Sequence, residues 1–353
     1  MKRSSLAGLG LFALALASGP VGCSRARMDS GSPVTPGLSG DGSVLVRSAV
    51  EGGGLELWRH SPLERMPTVE PSGTPVAVAL DGSGQQLTVL GRRPGFRRRC
   101  LLEQWTLPEG RRRARAVGAC EGVELSADGS LVAVFGGAQL EVYETERLRP
   151  RLRRSLGSTI TAVAFSPDAR SVLVAQSTFA KGGRDQLWNV EIETGQPEGP
   201  FEGHQVIVKA LVFLPDGSWV SAGVERRGRP TVHRWLGQQS FPQPGVEPDA
   251  PFTSVALSSD GSSLAAVGTL GCDSASMLWT IGDGTIEVVP PNEEAPVRPR
   301  YPVRVVFSPQ GERVVMGTEW ATLASDGTLR DVRFEDPHTG GVSLCSSPVA
   351  WPR

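Results

Sequence analysis

The chain is built from short runs in which apolar and polar residues alternate, and these runs come in a recurring order. Residues 160–165 (ITAVAF) alternate up to a Ser-Pro-Asp turn, and residues 172–175 (VLVA) form a second run. After a variable loop, a third run carries Leu187 and Trp188. Alternation at a period of two predicts a β-strand with one buried face, and Ser-Pro-Asp is typical of a tight turn. We therefore expect units of short strands joined by turns.

The turn between the first two runs recurs along the chain at intervals of 40 to 50 residues. Its seven copies are centred on Asp41, Asp81, Asp128, Asp168, Asp216, Asp260 and Gln310. In six units a third run with one aromatic residue follows, at Trp58, Trp105, Tyr143, Trp188, Trp235 and Trp279. This period matches the ~40–45 residues of a four-stranded propeller blade. The pattern predicts an all-β fold, a seven-bladed β-propeller of four-stranded antiparallel blades over residues 33–353. Eight blades, one of them partial, are the alternative.

The recurring residues suit structural roles. An Asp-Gly turn supplies a positive φ, and the aspartate can accept hydrogen bonds from the amides that follow it. The aromatic ring of the third strand is expected to fill the space between neighbouring blades. Residues 342–351 have strand character, and we expect them to pair with the first blade, whose opening strand is interrupted by proline.

The run VIVKALVFLPDG, preceded by Gly203 and His204, resembles a blade of the WD-repeat proteins. The resemblance extends to nearly the whole chain after residue 32, and the turns are equally similar to propeller repeats of bacterial envelope proteins. It implies a protein-interaction platform with functional residues in its loops. No third strand ends in Trp-Asp, and the Gly-His pair occurs once in seven units. We therefore expect the hydrogen-bonded side-chain network of WD-repeat blades to be largely missing.

Residues 1–22 have the pattern of an export signal. Lys2 and Arg3 precede an apolar core at residues 6–18, which is too short to span a bilayer comfortably. The segment ends at Cys23 after small residues and resembles the lipobox of bacterial lipoproteins, although Pro20 stands where that family prefers leucine. The resemblance implies a diacylglyceryl group on Cys23, and the glycine- and serine-containing stretch at this point predicts a flexible tether at residues 23–32. We expect an exported, lipid-anchored protein at the outer membrane, facing the periplasm or the cell surface, with simple secretion as the alternative.

Four cysteines remain, namely Cys100, Cys120, Cys272 and Cys345. An even number suits an oxidising compartment. Cys100 and Cys120 are equidistant from a turn near residue 110, so a hairpin would place them opposite each other and allow a disulfide. By elimination, Cys272 would pair with Cys345 and fasten the C-terminal strand. Four unpaired buried thiols are the alternative.

No catalytic or metal-binding motif stands out. The four histidines (His60, His204, His233 and His338) lie in separate units without metal-ligand spacing. The sequence lacks the usual nucleophile, phosphate-loop and calcium-loop motifs. A formal net charge of −1 argues against a general nucleic-acid binder. We expect a monomer without cofactor or enzymatic activity that binds a protein partner. A hydrolase, lyase or sugar-binding site at the channel mouth is the alternative.

Arginines cluster in the second and third units, where residues 92–154 hold 14 arginines and eight acidic residues. Such charge can simply protect an edge strand from association. It can also form a surface for an anionic partner, because guanidinium groups bind carboxylate and phosphate with two hydrogen bonds. An acidic protein and anionic lipid headgroups both fit this surface. The candidate residues are Arg97, Arg98, Arg99, Arg111, Arg112, Arg113, Arg149, Arg151 and Arg153.

Overall fold

A computed structural model describes the strands and many of their connections. The described residues are 37–39, 43–48, 54–59, 64–93, 100–178, 185–201, 207–214, 216–224, 230–236, 239–242, 252–257, 263–270, 273–281, 286–289, 305–307, 313–316, 319–323 and 329–330. Side chains are described for most of these residues up to 221 and for residues 233–235.

The described strands form seven antiparallel sheets of four strands each, and in every sheet the strands follow one another in chain order. The first sheet contains β1 Gly37–Leu38, β2 Val44–Ser48, β3 Leu55–Arg59 and β4 Glu64–Arg65. The second contains β5 Thr74–Leu80, β6 Gln86–Arg92, β7 Cys100–Thr106 and β8 Arg111–Val117. The third contains β9 Gly122–Leu125, β10 Leu131–Gly136, β11 Gln139–Glu144 and β12 Pro150–Ser155.

The remaining four sheets repeat this plan. The fourth contains β13 Thr159–Phe165, β14 Ser171–Ser177, β15 Gln186–Glu191 and β16 Pro197–Phe201. The fifth contains β17 Ile207–Phe213, β18 Trp219–Val224, β19 Pro230–Leu236 and β20 Gln239–Pro242. The sixth contains β21 Phe252–Leu257, β22 Ser263–Leu270, β23 Asp273–Ile281 and β24 Ile286–Val289. The seventh contains β25 Val305–Phe307, β26 Arg313–Met316, β27 Glu319–Leu323 and β28 Leu329–Arg330.

The sheets are arranged as propeller blades. The first strand of each sheet contacts the first strand of the next sheet, from β1 through β5, β9, β13, β17 and β21 to β25. The fourth strand is the outermost member of its sheet. First strands therefore line the centre and fourth strands form the perimeter, as in a β-propeller. The prediction of an all-β propeller with four-stranded antiparallel blades is confirmed, whereas the number of blades in the closed ring stays a prediction.

The hydrophobic core is divided into layers that lie between successive blades. One layer combines Leu57 of blade one with Val89 of blade two, and the next combines Leu102 of blade two with Val134 of blade three. The third and fourth layers join blades three to four and four to five in the same way. Four of the six predicted third-strand aromatic residues lie in these layers, namely Trp105, Tyr143, Trp188 and Trp235.

The aspartate turns have the geometry that their sequence predicts. In blade three, the Oδ1 atom of Asp128 accepts hydrogen bonds from the Ser126 hydroxyl at 2.6 Å and from the Ser130 amide at 3.0 Å. The next residue, Gly129, has a φ of +70°. Blade two differs, since the positive φ of +67° falls on Gly84 rather than on the glycine directly after the aspartate. In blade four the equivalent residue is Ala169, which adopts a φ of +55° without being glycine.

A disulfide joins Cys100 to Cys120, with their Cα atoms 5.6 Å apart. The hairpin register predicted for this pair is nevertheless wrong, because Cys100 lies opposite Val117. The turn is centred nearer residues 108–109 than residue 110, so Cys120 falls beyond the end of β8. The bridge therefore fastens β7 to the connection between blades two and three rather than to its hairpin partner. Cys23, Cys272, Cys345, the Gly203-His204 pair and residues 342–351 lie outside the described residues.

Candidate functional site

The described arginines of the candidate surface lie at the outer edges of blades two and three. Arg112 and Arg113 are on β8, Arg151 and Arg153 are on β12, and Arg149 directly precedes β12. Both strands are the outermost of their sheets. Arg97, Arg98, Arg99 and the side chain of Arg111 lie outside the described part.

The register of β8 divides its arginines between two neighbouring blades. Arg112 lies opposite Trp105, which packs toward blade one, whereas Arg115 lies opposite Leu102, which packs toward blade three. Residues directly opposite in an antiparallel pair share a face, and successive residues alternate between faces. Arg113 and Arg115 therefore face blade three, and Arg112 faces the other way. The structure does not bring Arg112 together with Arg113.

On the side of blade one, Arg112 forms part of a network around a buried carboxylate. The Oε1 atom of Glu103 accepts a hydrogen bond from Nη1 of Arg112 at 3.1 Å, and its Oε2 atom accepts one from the Ser72 amide at 3.0 Å. The Glu103 side chain is 1% exposed. The Arg112 guanidinium also lies 5.4 Å from the centre of the Trp105 ring, a favourable position for a cation above an aromatic face. Arg112 thus joins the segment that leads into blade two, which contains Ser72, to the third strand of that blade.

On the side facing blade three, Arg115 and Arg153 approach the same tyrosine from two blades. Their guanidinium carbons lie 5.3 Å and 5.9 Å from the centre of the buried Tyr143 ring. Nη1 of Arg115 donates to the Leu148 carbonyl at 3.0 Å, which joins the outer edges of the two blades. Nη2 of Arg153 donates to the Tyr143 hydroxyl at 3.3 Å. Aromatic and cationic groups therefore bind blades two and three together at their perimeter.

Glu141 completes this arrangement. It accepts hydrogen bonds from the Tyr143 hydroxyl and, at 3.0 Å, from the Gly118 amide in the connection that enters blade three. Burial of the phenol, followed by its bond to Glu141, raises the pKa of Tyr143 above its ordinary value. The bond to Tyr143 likewise raises the pKa of Arg153. The hydroxyl stays protonated and the guanidinium stays charged at physiological pH.

A glutamate two residues before the third-strand aromatic residue pairs with a fourth-strand arginine in each of the first three blades. We call these contacts the glutamate–arginine pairs: Glu56–Arg65, Glu103–Arg112 and Glu141–Arg153. Sequence reasoning missed them because the acidic residues that it took from the repeat were the turn aspartates and not these glutamates. The signal was present as the repeated pattern Leu-Glu-x-aromatic at residues 55–58, 102–105 and 140–143. The first three blades therefore share a side-chain network made of glutamate and arginine.

The other candidate arginines are held less firmly. Arg151 pairs with Glu144 at 3.0 Å, and both side chains are partly exposed. Arg113 and Arg149 are exposed, and no ion pair joins either of them to another described residue. In the sequence, the arginines at 147, 149, 151 and 153 alternate with Leu148, Pro150 and Leu152, which predicts one face of a strand, and this prediction is wrong at its start because the strand begins at Pro150. Leu148 adopts a φ of +51° and is buried, so Arg149 belongs to the turn before β12.

Two further features bear on chemistry in the described part of the chain. An open groove of about 370 Å³ on blade four is lined by Arg170, Asn189, Glu191 and Glu198, among others. No three His, Cys, Asp or Glu side chains gather into a group that could hold a metal ion among the described residues. Within the same residues, no helix is long and apolar enough to cross a membrane.

Comparison with known proteins supports the fold assignment. Residues 195–227, which span β16 to β18, match the WD domain, G-beta repeat. The chain is 24% identical to the target of rapamycin complex subunit LST8 of Mus musculus over 216 residues. This aligned region covers 59% of the chain. It spans 61% of the length of that curated relative.

Three solved structures resemble this one more closely in shape than in sequence. Hydrazine synthase of Kuenenia stuttgartiensis has a TM-score of 0.67 at 14% identity, covering 90% of this chain and 99% of that chain. The β-propeller domain of Cps50 (Swd1) of Myceliophteria thermophila has a TM-score of 0.61 at 15% identity, covering 84% and 94%. A chain of the mitotic checkpoint complex has a TM-score of 0.61 at 13% identity, covering 83% and 86%. At these identities the likeness shows the fold alone. The chain is a β-propeller, and residues 195–227 of it are similar to a WD repeat.

Proposed function

We propose that this protein is a lipid-anchored, non-catalytic protein-interaction platform of the bacterial cell envelope. The observation that carries the proposal is the WD-repeat-like propeller fold, which is typically a scaffold for protein interactions. Its blades are joined by buried layers, so the connections between strands are held on a rigid frame. Two of the similar proteins are described as a subunit or a chain of a complex.

The envelope location rests on the N-terminal sequence pattern. The basic residues, the short apolar core and Cys23 favour export and acylation, and the acyl chains would hold the propeller at the membrane. The disulfide between Cys100 and Cys120 supports an oxidising compartment. We place the protein at the outer membrane, facing the periplasm or the cell surface, as a monomer.

We also propose that the ring closes with seven blades. The seven described sheets and the contacts between their first strands support this number. Closure would require residues 342–351 to pair with blade one, fastened by a disulfide between Cys272 and Cys345. Peptide mapping of the non-reduced protein by mass spectrometry tests this directly. Recovery of Cys272 and Cys345 as free thiols would contradict the closure.

The anchor and the platform are tested together by comparing the wild-type chain with Cys23→Ala. We expect wild-type protein in the membrane fraction and the variant in the soluble periplasmic fraction. Cross-linking in intact cells followed by affinity purification should recover the same partner proteins repeatedly with the wild type. A variant that still fractionates fully with membranes would refute the anchor. Turnover of glycoside or ester substrates by the purified propeller would instead favour an envelope hydrolase.

A further inference from the structure

The groove on blade four lies on the face of its sheet that is directed toward blade five. Asn189 lies opposite Leu173 of β14 and Glu198 of β16. Glu191 lies opposite Ser171. Residues opposite each other in an antiparallel pair share a face, and Leu173 packs in the layer between blades four and five. Asn189, Glu191 and Glu198 are therefore on one side of the sheet, where all three line a space of about 370 Å³ that we call the blade-four groove.

The strands present hydrogen-bond acceptors to this groove that the fold does not use fully. The Oδ1 atom of Asn189 is buried and accepts no hydrogen bond from any described residue. Glu198 is exposed and forms no ion pair with a described residue. The Oε2 atom of Glu191 accepts a hydrogen bond from the Thr194 hydroxyl at 2.5 Å, so only one of its oxygens is engaged by a described side chain. A buried acceptor without a donor is costly, and a ligand that donates to it gains that free energy on binding.

The charges around the blade-four groove favour a cation. Its two carboxylates are opposed by one arginine, Arg170, which lies in the turn before β14. The Nε atom of Arg170 lies 3.9 Å from Oδ2 of Asp168, and the Arg170 side chain is 86% exposed. Its charge is therefore directed to the aspartate of its own turn. Residues 186–201, which form β15, β16 and the turn between them, contain three glutamates and no basic residue.

Protection of an exposed edge does not account for these carboxylates. The outermost strand β16 already contains Pro197 and Pro200, and proline in an edge strand prevents pairing with another chain. A merely solvated surface does not account for the buried oxygen of Asn189 either, because that atom has almost no contact with solvent. The remaining explanation is a ligand that is both cationic and rich in hydrogen-bond donors.

We propose that the blade-four groove binds an arginine side chain of a protein partner, with Asn189 and Glu198 as its direct ligands. A guanidinium group carries five N–H donors in one plane, so it can donate to the amide oxygen and to a carboxylate at the same time. This inference rests on the proposed role as an interaction platform and names the chemistry of one partner contact.

The test measures binding of a fluorescent peptide of glycine, serine and three arginines to the full chain carrying Cys23→Ala, which cannot be acylated at that position. Fluorescence anisotropy is recorded with this peptide and with a second one in which citrulline replaces arginine. Citrulline keeps the shape of the side chain and removes its charge, so we expect at least about tenfold weaker binding. Equal binding of both peptides, or no saturable binding of the arginine peptide, would overturn the proposal.

Two carboxylates of the same hairpin provide a matched pair of variants. Glu198→Gln removes a charge that lines the groove, and we expect about threefold weaker binding. Glu193→Gln removes the same charge from an exposed residue of the turn between β15 and β16. We expect this control to bind like the parent protein. Equal weakening by both variants would show non-specific charge attraction and would overturn the site.

Asn189 allows a test in both directions. Asn189→Leu removes the buried acceptor and should weaken binding about tenfold, because a guanidinium N–H then has no partner. Asn189→Asp adds a negative charge at nearly the same size and should strengthen binding about threefold. The urea midpoint of each variant verifies that the propeller stays folded. Weaker binding by a folded Asn189→Asp protein would contradict an arginine at this position.

Two further measurements separate the possible sources of failure. Free L-arginine is added as a competitor, and displacement of the peptide at an equal concentration would assign the groove to a small cationic molecule and overturn the peptide proposal. Cross-linking in intact cells is repeated with Glu198→Gln and Asn189→Leu. The platform role would survive failure of the groove if the wild-type chain still recovers its partner proteins. Recovery of no partner by the wild type itself would refute the platform.

Discussion

The buried carboxylate of Glu103 offers the sharpest test of how these blades are held together. Substitution by glutamine preserves its size and removes its charge. The wild-type side chain is almost wholly buried and accepts hydrogen bonds from the Ser72 amide at 3.0 Å and from the Arg112 guanidinium at 3.1 Å. A glutamine amide has one accepting oxygen and one donating nitrogen. One of the two donors must therefore face another donor.

The expected loss follows from these contacts. A hydrogen bond to a charged group contributes about 1.5–3 kcal/mol, and an unsatisfied buried donor costs a similar amount. The ion pair itself adds less than about 1 kcal/mol, because the Arg112 side chain is 42% exposed and therefore screened by solvent. Since glutamine keeps one of the two bonds, we expect Glu103→Gln to lower the free energy of unfolding by about 2 kcal/mol. Arg112→Gln should cost about 1 kcal/mol, because the Ser72 amide still binds the carboxylate.

Urea unfolding followed by tryptophan fluorescence measures this loss, since the chain has eight tryptophans. Glu144→Gln is the matched control, because Glu144 is 33% exposed and its ion pair with Arg151 lies at the surface. We expect the control to change the free energy of unfolding by less than about 0.5 kcal/mol. If Glu103→Gln is as mild as the control, the glutamate–arginine pairs do not stabilise the blades and the argument fails.

Three further predictions concern turns, pH and the disulfide. Ala169→Gly should raise the free energy of unfolding by about 0.5–1 kcal/mol. A φ of +55° strains the alanine backbone, and this strain exceeds the conformational entropy that glycine loses on folding. Thermal unfolding measures the change. The pKa values of Asp168 and Asp216 are lowered, mainly because the carboxylates accept hydrogen bonds from the hydroxyls of Ser166 and Ser218. In acid the unfolded chain therefore binds more protons than the folded chain. The urea midpoint should be constant above about pH 5 and fall below about pH 4, and this fall should be smaller in Asp168→Asn. Replacing Cys100 and Cys120 by alanine opens a loop with a sequence separation of 20 residues and should cost about 3 kcal/mol in urea unfolding.

The elements that the sequence predicted well are those determined by local pattern. The run at residues 160–165 falls within β13, which spans Thr159–Phe165, because alternation with one buried face determines a strand without reference to distant residues. The aspartate turns were predictable for the same reason, since the side chain bonds to amides only two residues away. The position of the third-strand aromatic residues followed from the repeat, which places equivalent residues at equivalent depths between blades.

The features that sequence reasoning missed depend on register and on connections. A turn placed one or two residues too late shifts every cross-strand partner, and this moved Cys120 from β8 into the following connection. In β12 a bulge between the partners of Val142 and Tyr143 places Arg153 opposite Glu141, whereas Arg112 of β8 lies opposite the aromatic Trp105. No local sequence pattern predicts this bulge. The pairing of Glu141 with Arg153 therefore becomes visible only in the folded sheet.

The arginines of blades two and three fall into two groups, and the group decides whether an arginine can be replaced without loss of stability. Arg112 and Arg153 serve buried or half-buried carboxylates, so their replacement disturbs the connection between blades before it affects any ligand. Arg113 and Arg149 bind no described side chain, so their charge can be removed at little cost to stability.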